Sequence, residues 1–248
     1  MLLQLSTWQE IEAYLQRSKG IIVPIGSTEQ HGPNGLIGTD AICPEVIARG
    51  VSKKIGALVA PTISIGMAQH HLGFPGSVSL RPSTLLALIR DVVESLVRHG
   101  FERCYFLNGH GGNIATVSAA FSEVYAESSF RGPDNRSRVR CKLSNWYMAA
   151  GVQKISAELF GSSEGAHATP SEVSLTYFAY PEAVKDVSMS PKLAPYGPIY
   201  DADDYRGRFP DGRIGSDPSL SSIEAGKRLY DAAVDDVAAE YQGFLNAI

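Results

Sequence analysis

The sequence predicts an α/β fold, a mostly parallel sheet with helices on both faces. Two observations carry this. Short apolar runs alternate with longer segments of helical period. The strand-like runs, such as "GIIVPIG" (20–26) and "RCYFLN" (103–108), are apolar almost throughout rather than at every second residue. That is how strands read when both faces are covered.

Each element has its own signal. Ser6 or Thr7 is placed to cap a helix over "WQEIEAYLQRS" (8–18), with Glu10 positioned for a capping box. The first strand follows at 20–26. "AICPEVIARGVSKK" (41–54) has helical spacing, with Asp40 or Thr39 as its cap and Pro44 tolerable in a first turn. "ALVAPTISIG" (57–66) reads as a second strand. "RPSTLLALIRDVVESLVRHG" (81–100) is an amphipathic helix with Pro82 near its start and Gly100 at its end. A third strand (103–108) leads into the helix "NIATVSAAFSEVYAES" (113–128). "RVRCKLSNW" (138–146) is a fourth strand, followed by a short helix, a helix near 170–180 and a long one over 222–246. The proline- and glycine-rich stretch 181–221 has no clear period and reads as an extended loop passage serving binding or subunit contact.

Length and composition bound the function. At 248 residues the chain reads as a single domain, 1–248. With 44% hydrophobic and 19% charged residues it can build a large core, which excludes global disorder. A net charge of -4 without a basic stripe argues against nucleic acid as a partner. No apolar run approaches a membrane span, and the N-terminus lacks a basic signal-peptide region. Cys43, Cys104 and Cys141 are scattered and odd in number, which suits buried free thiols in a reducing cytoplasm.

The chemistry gathers after the strands, where sites form in such sheets. Glu29 and His31 follow the first strand, and Asp40 opens the next helix. "NGHGGN" (108–113) follows the third strand. "EGAHATPSE" (164–172) lies beyond the fourth. Of six histidines, His31, His70, His71, His110 and His167 sit in these glycine- or proline-rich segments. Only His99, in a helix's last turn, has an easy structural reading. Imidazoles mixed with carboxylates suit a divalent cation such as zinc, manganese or iron. Taken singly, an E-x-H is a weak signal, Asp40 is an ordinary cap, and "GHGGN" is an anion-binding turn at a helix start.

Taken together, "GSTEQHGPNGLIGTD", "HLGFPGSVSL", "NGHGGN" and "GAHATPSEVS" resemble the signatures of the creatininase (creatinine amidohydrolase) superfamily, in the same order. "PDGRIGSDPSLSSIEAG" (210–226) resembles its C-terminal region. The resemblance implies a three-layer α/β/α sandwich, a two-metal site, a small-molecule substrate and a homohexamer. It implies that Glu29, Asp40 and His110 bind one ion, with zinc, manganese or iron as candidates. His31 then binds a second ion, with Asp40 bridging. His167 matches a proton-shuttling catalytic histidine, and Glu172 an acidic residue five places on. The expected reaction is attack of a metal-activated hydroxide on an amide carbon. Gly111, Gly112, Asn113 and His71 are the candidate substrate contacts.

One departure matters. The creatinine-cleaving pattern reads "GHYEN", its Glu serving the second ion, whereas Gly111 and Gly112 stand here. Either Glu172 replaces that ligand, or the second site is weak or empty. The "GHGGN" form resembles instead the formamide deformylase and peptide-processing branches. A protein binding an anionic ligand through this loop is the non-enzymatic alternative.

Overall fold

The computed structural model describes residues 1–130 and 137–247. Among them, three parallel strands form one sheet in the order β1 (Gly20–Ile25), β2 (Arg103–Asn108), β3 (Arg140–Asn145). Gly20 lies opposite Arg103, and Arg103 opposite Arg140. The helices are α1 (Trp8–Leu15), α2 (Thr39–Ile55), α3 (Pro82–Arg98), α4 (Ile114–Phe130), α5 (Ala150–Leu159), α6 (Pro170–Ala179), α7 (Ala202–Arg208) and α8 (Ile223–Asn246).

Strand alternation sorts the core into two layers. Ile21, Val23, Ile25, Cys104 and Phe106 pack with α1, α3 and α4 through Tyr14, Leu85, Ile89, Val93, Val117 and Phe121. Ile22, Tyr105 and Leu107 pack with α2, α5, α6 and α8 through Ile47, Val51, Val152, Leu175, Leu229 and Val237. Sheet and two helical layers make the three-layer sandwich. The continuous apolar strands were a sound guide because both faces are covered. Thr7 caps α1 in the expected capping box with Glu10. Pro82 stands in the first turn of α3, and the chain leaves that helix through Gly100 at φ 98°. Among the described residues no helix is long and apolar enough to cross a membrane. The three cysteines are free; Cys104 and Cys141 lie opposite each other on β2 and β3.

Four details differ from the sequence reading. Residues 57–66 are not a regular strand. They touch β1 only through isolated bridges at Val59 and Ile63. Hydrogen bonds run from Ile22 N to Leu58 O and from Ala60 N to Ile22 O, and resume from Ile63 N to Pro24 O. Between them Pro24 supplies no N–H to β1's side of the ladder, so it breaks there, and Pro61 supplies none on the opposite edge, where Val59 bonds Met1 and Leu3. In the 181–221 passage, "ADDYRGR" is helical: Asp201 accepts from the amides of Asp203 and Asp204, and Arg208 reaches back to Asp204 at 2.8 Å. Helix α2 begins at Thr39, with Gly38 as its N-cap and no side-chain cap, so neither Asp40 nor Thr39 caps it. Pro44 consequently stands in the second turn rather than the first.

That proline cannot donate to the carbonyl of Asp40, four residues back. The same carbonyl is wedged against the ends of β1 and β2. A Cβ on Gly26 would lie 2.0 Å from Asp40 O, and one on Gly109 would lie 2.1 Å from it. Two side-chain-free residues thus bring the first turn of α2 down onto the carboxyl edge of the sheet. Gly26→Ala should therefore cost about 1–3 kcal/mol or more, because backbone must move to make room. Gly243→Ala, on the exposed face of α8 with nothing within 4 Å, should stabilise by about 0.5–1 kcal/mol. Denaturant melts of the two variants check both signs; equal midpoints would contradict the close-approach argument.

Candidate metal and active site

Every expected metal-binding side chain leaves the carboxyl edge of the sheet. Beyond β1 the chain turns tightly: Glu29 N donates to Ile37 O and Gly35 N to His31 O. Glu29 and His31 are thereby carried inward on an irregular loop. Asp40 enters from the first turn of α2. His110 follows β2 by two residues. Its amide donates to Asn108 Oδ1, and Asn108 Nδ2 reaches both His110 O and Asn145 Oδ1, tying the ends of β2 and β3. His167 precedes α6, held by a backbone bridge to Ile214 and by Ser216 Oγ donating to its carbonyl. Glu172 stands in the first turn of α6. Its Oε1 accepts from Thr169 N in a capping box, which leaves Oε2 free for the site.

These side chains converge. Asp40 Oδ1 lies 3.0 Å from His31 Nε2, and Asp40 Oδ2 lies 2.9 Å from His110 Nδ1. Glu29 Oε1 is 3.3 Å from His110 Nδ1 and 3.0 Å from His71 Nε2. Glu172 Oε2 is 3.9 Å from His31 Nε2. Three groups have ligand atoms all within 4.8 Å of one another: Glu29, Asp40 and His110; His31, Asp40 and Glu172; Glu29, His31 and His167. Glu29 is 0% exposed, His31 1% and Asp40 3%. The ion pairs of the three carboxylates are all with histidine.

Three histidines share one device. His31 Nδ1 donates to Glu29 O, His110 Nε2 to Met67 O, and His167 Nε2 to Gln30 O. A carbonyl only accepts, so each contact fixes which nitrogen carries the hydrogen and turns the other toward the carboxylates. Neighbouring metal ligands are commonly oriented this way. Among the described residues, Glu29 Oε1 and Oε2 and Asp40 Oδ2 nevertheless receive no hydrogen bond. Buried, unpaired carboxylate oxygens facing imidazole nitrogens are a donor set that a divalent cation completes.

The electrostatics agree. Burial, then the Asp40 charge, raises the pKa of Glu29. Burial alone would raise Asp40 too, yet His31 and His110 hold it well below the usual carboxylate range. Against burial, Asp40 and Glu172 push His31 up to about 10, and Glu29 and Asp40 push His110 up to about 9. Burial raises Glu172 to about 7. Without a cation, the pocket draws protons onto its histidines; a bound ion displaces them. Burial, then neighbouring His71 and His31, lowers His167.

Of the candidate substrate contacts, two are otherwise engaged. Asn113 donates to Gly26 O and Asn108 Oδ1, accepts from Met67 N, and uses its own amide on His110 O. His71 is enclosed between Glu29 and Gln30. Gly111 is exposed and open to a ligand; Gly112 is half-buried, and a Cβ there would lie 2.4 Å from His110 Nε2.

Gln30, Tyr205 and Tyr147 escaped the sequence reading. Gln30 Nε2 lies 3.0 Å from His71 Nδ1 and donates to Gly212 O at 2.9 Å. Tyr205, on α7, packs edge-on to His71 with centroids 4.7 Å apart and donates to Gly212 O. Tyr147 follows β3 and approaches Gly111.

A family model described as creatininase, creatinine amidohydrolase, matches residues 4–241. The creatinine amidohydrolase of Pseudomonas putida is 29% identical over 244 residues, covering 94% of this chain and 92% of that protein. The mycofactocin precursor peptide peptidase of Mycobacterium ulcerans (strain Agy99) is 28% identical over 230 residues, covering 87% of this chain and 82% of that protein. Among solved structures, "Creatininase Mn" superposes with a TM-score of 0.85 at 24% identity, covering 99% of each chain. At that identity the likeness is one of fold.

Proposed function

This chain belongs to the creatininase family, and from that premise we propose that it is a divalent-metal-dependent hydrolase of a small amide C–N bond. The observation that carries the proposal is the convergence of buried carboxylate oxygens and imidazole nitrogens with, among the described residues, no lysine or arginine paired to them. Glu29, Asp40 and His110 would hold one ion. His31, Asp40 and Glu172 would hold a second, Glu172 taking the place left by Gly112. Zinc, manganese and iron all suit this nitrogen–oxygen set; a structural neighbour bears the name "Creatininase Mn". When bound, the ions supply a polarised carbonyl and a water nucleophilic at neutral pH.

The chain's own residues do the rest. His167, its Nε2–H given to Gln30 O, keeps Nδ1 for moving a proton toward the leaving nitrogen. Gln30 and Tyr205 hold the imidazoles of His71 and His167 in place. The opening at exposed Gly111 admits the substrate. A non-catalytic anion binder would have no use for a buried histidine–carboxylate cluster. A peptide amide is the second reading, favoured by the mycobacterial peptidase, similar over most of this chain. The free cysteines suit a cytoplasmic enzyme. Exposed Val187, Leu193, Tyr196, Ile199 and Tyr200 support a subunit interface in a homo-oligomer, a hexamer in our reading.

Metal analysis combined with kinetics tests the roles. Asp40→Asn should lose metal and activity together, because it serves both ions. His167→Ala should keep its metal and lose about a hundredfold in turnover. Equal metal loss in the two variants would contradict these separate roles.

Substrate choice is the second expectation. The two glycines leave no aromatic wall against a compact ring, at about 1–3 kcal/mol for each lost contact group. Manganese- or zinc-loaded protein should therefore turn over bulkier formamides and amides better than creatinine. Creatinine turnover at roughly tens per second, an ordinary enzymatic rate, would overturn this.

Light scattering should give a mass several times the 26.7 kDa of one chain. A clean monomer at micromolar concentration would refute the interface.

A further inference from the structure

We infer that Tyr147 is a substrate-contacting specificity residue of this site, its hydroxyl donating a hydrogen bond to an acceptor oxygen of the substrate beyond the scissile amide. The inference rests on the amidohydrolase reading above and adds a determinant to it.

Tyr147 lies in the turn Trp146–Met148, directly after β3 and at the same sheet edge as His110. Its backbone is held. Gln153 Nε2 donates to Tyr147 O at 2.6 Å, and Ala149 N donates to Trp146 O at 3.1 Å. Its ring is also held, against the core layer of α2, α5, α6 and α8 and perpendicular to Trp146, with centroids 6.1 Å apart. The half-buried side chain thus arrives at the opening already positioned.

What it meets there is Gly111. A Cβ on Gly111 would sit 3.8 Å from Tyr147 Oη, and among the described residues no other atom beyond those of its chain neighbours comes within 4 Å of that point. The absence of a side chain at Gly111 therefore leaves a gap that the Tyr147 hydroxyl borders. Tyr14, Tyr105, Tyr177 and Tyr205 spend their hydroxyls on protein acceptors; among the described residues the Tyr147 hydroxyl has no hydrogen-bond partner. Burial, then the charges of Asp40 and Glu172, raises its pKa to about 12. It stays a donor at neutral pH and lies within the field of the second ligand group. A ligand reaching that gap meets a fixed, neutral donor, which selects for an acceptor oxygen.

The test compares two formamides of matched size, N-formylglycinamide, which carries a second carbonyl, and N-isobutylformamide, which does not. Formate release is followed with full-length manganese-loaded protein, wild type and Tyr147→Phe, with metal content and melting temperature measured in parallel. For N-formylglycinamide the variant should show a KM raised about tenfold with kcat nearly unchanged, the signature of a lost uniform contact. For N-isobutylformamide both constants should be unchanged, as should metal content and melting temperature. Equal KM values in variant and wild type for N-formylglycinamide would overturn the inference while leaving the amidohydrolase standing, as would an equal loss on both formamides. No turnover of either formamide by the metal-loaded wild type would remove the amidohydrolase reading and this inference with it.

Discussion

Three carboxylates, Glu29, Asp40 and Glu172, are taken out of water at one point, and among the described residues none is paired with lysine or arginine. Burying an uncompensated carboxylate costs several kcal/mol. Everything around this point can be read as meeting that cost. Imidazoles face the oxygens from three directions. Gly26 and Gly109 let α2 settle onto the strand ends, so that Asp40 arrives there. The capping box of α6 occupies one oxygen of Glu172 and so fixes where the other points. A divalent cation completes the balance more fully than protons do, since it satisfies several oxygens at once. The fold supplies the three-layer frame, and the buried charge decides the local details of its carboxyl edge.

Much of this was legible in the residues. Strands buried on both faces announce themselves as unbroken apolar runs, and β1, β2 and β3 lie within the expected bounds. Long amphipathic helices with proline at the start or glycine after the end, such as α3, are equally plain. Reading failed where two signals conflicted. Residues 57–66 are apolar enough for a strand, but Pro24 and Pro61 withhold the amides a ladder needs, and neither proline reveals which neighbour it will face. Helix α7 was hidden in a proline-rich passage although Asp201 and the Asp204–Arg208 pair mark its two ends. Asp40 looked like a cap because an aspartate at a helix start usually is one; the tertiary contacts with His31 and His110 outweigh that local preference.

The site divides the same way. Glu29, His31, Asp40, His110, His167 and Glu172 stood out because charged and imidazole groups are costly beside strand ends unless something uses them. Gln30 sat unnoticed between two of them, since a glutamine has no titration and no metal preference to mark it. Tyr205 and Tyr147 were invisible for another reason. Tyrosines are common in cores, and only the folded chain shows that one lies against the histidines and the other beside a residue without a side chain.

The orientation of His31, His110 and His167 by main-chain carbonyls has a consequence for how such a centre changes over time. A side-chain acceptor can be lost in one base change; a carbonyl accompanies whatever residue occupies the position. The carbonyl contribution to the alignment is therefore insulated from mutational drift at position 67 insofar as the backbone path is kept, whereas at 29 and 30 the side chains face the same imidazoles and are constrained with them. The rim has no such protection. At 111 and 147 the rim is bare backbone and a single ring, so a substitution there changes the wall alone, whereas a Cβ at Gly112 would lie 2.4 Å from His110 Nε2 and would disturb the centre itself. Proteins built on this plan can hand one inherited reaction centre from substrate to substrate, exploring new ones at the rim without rebuilding the chemistry beneath.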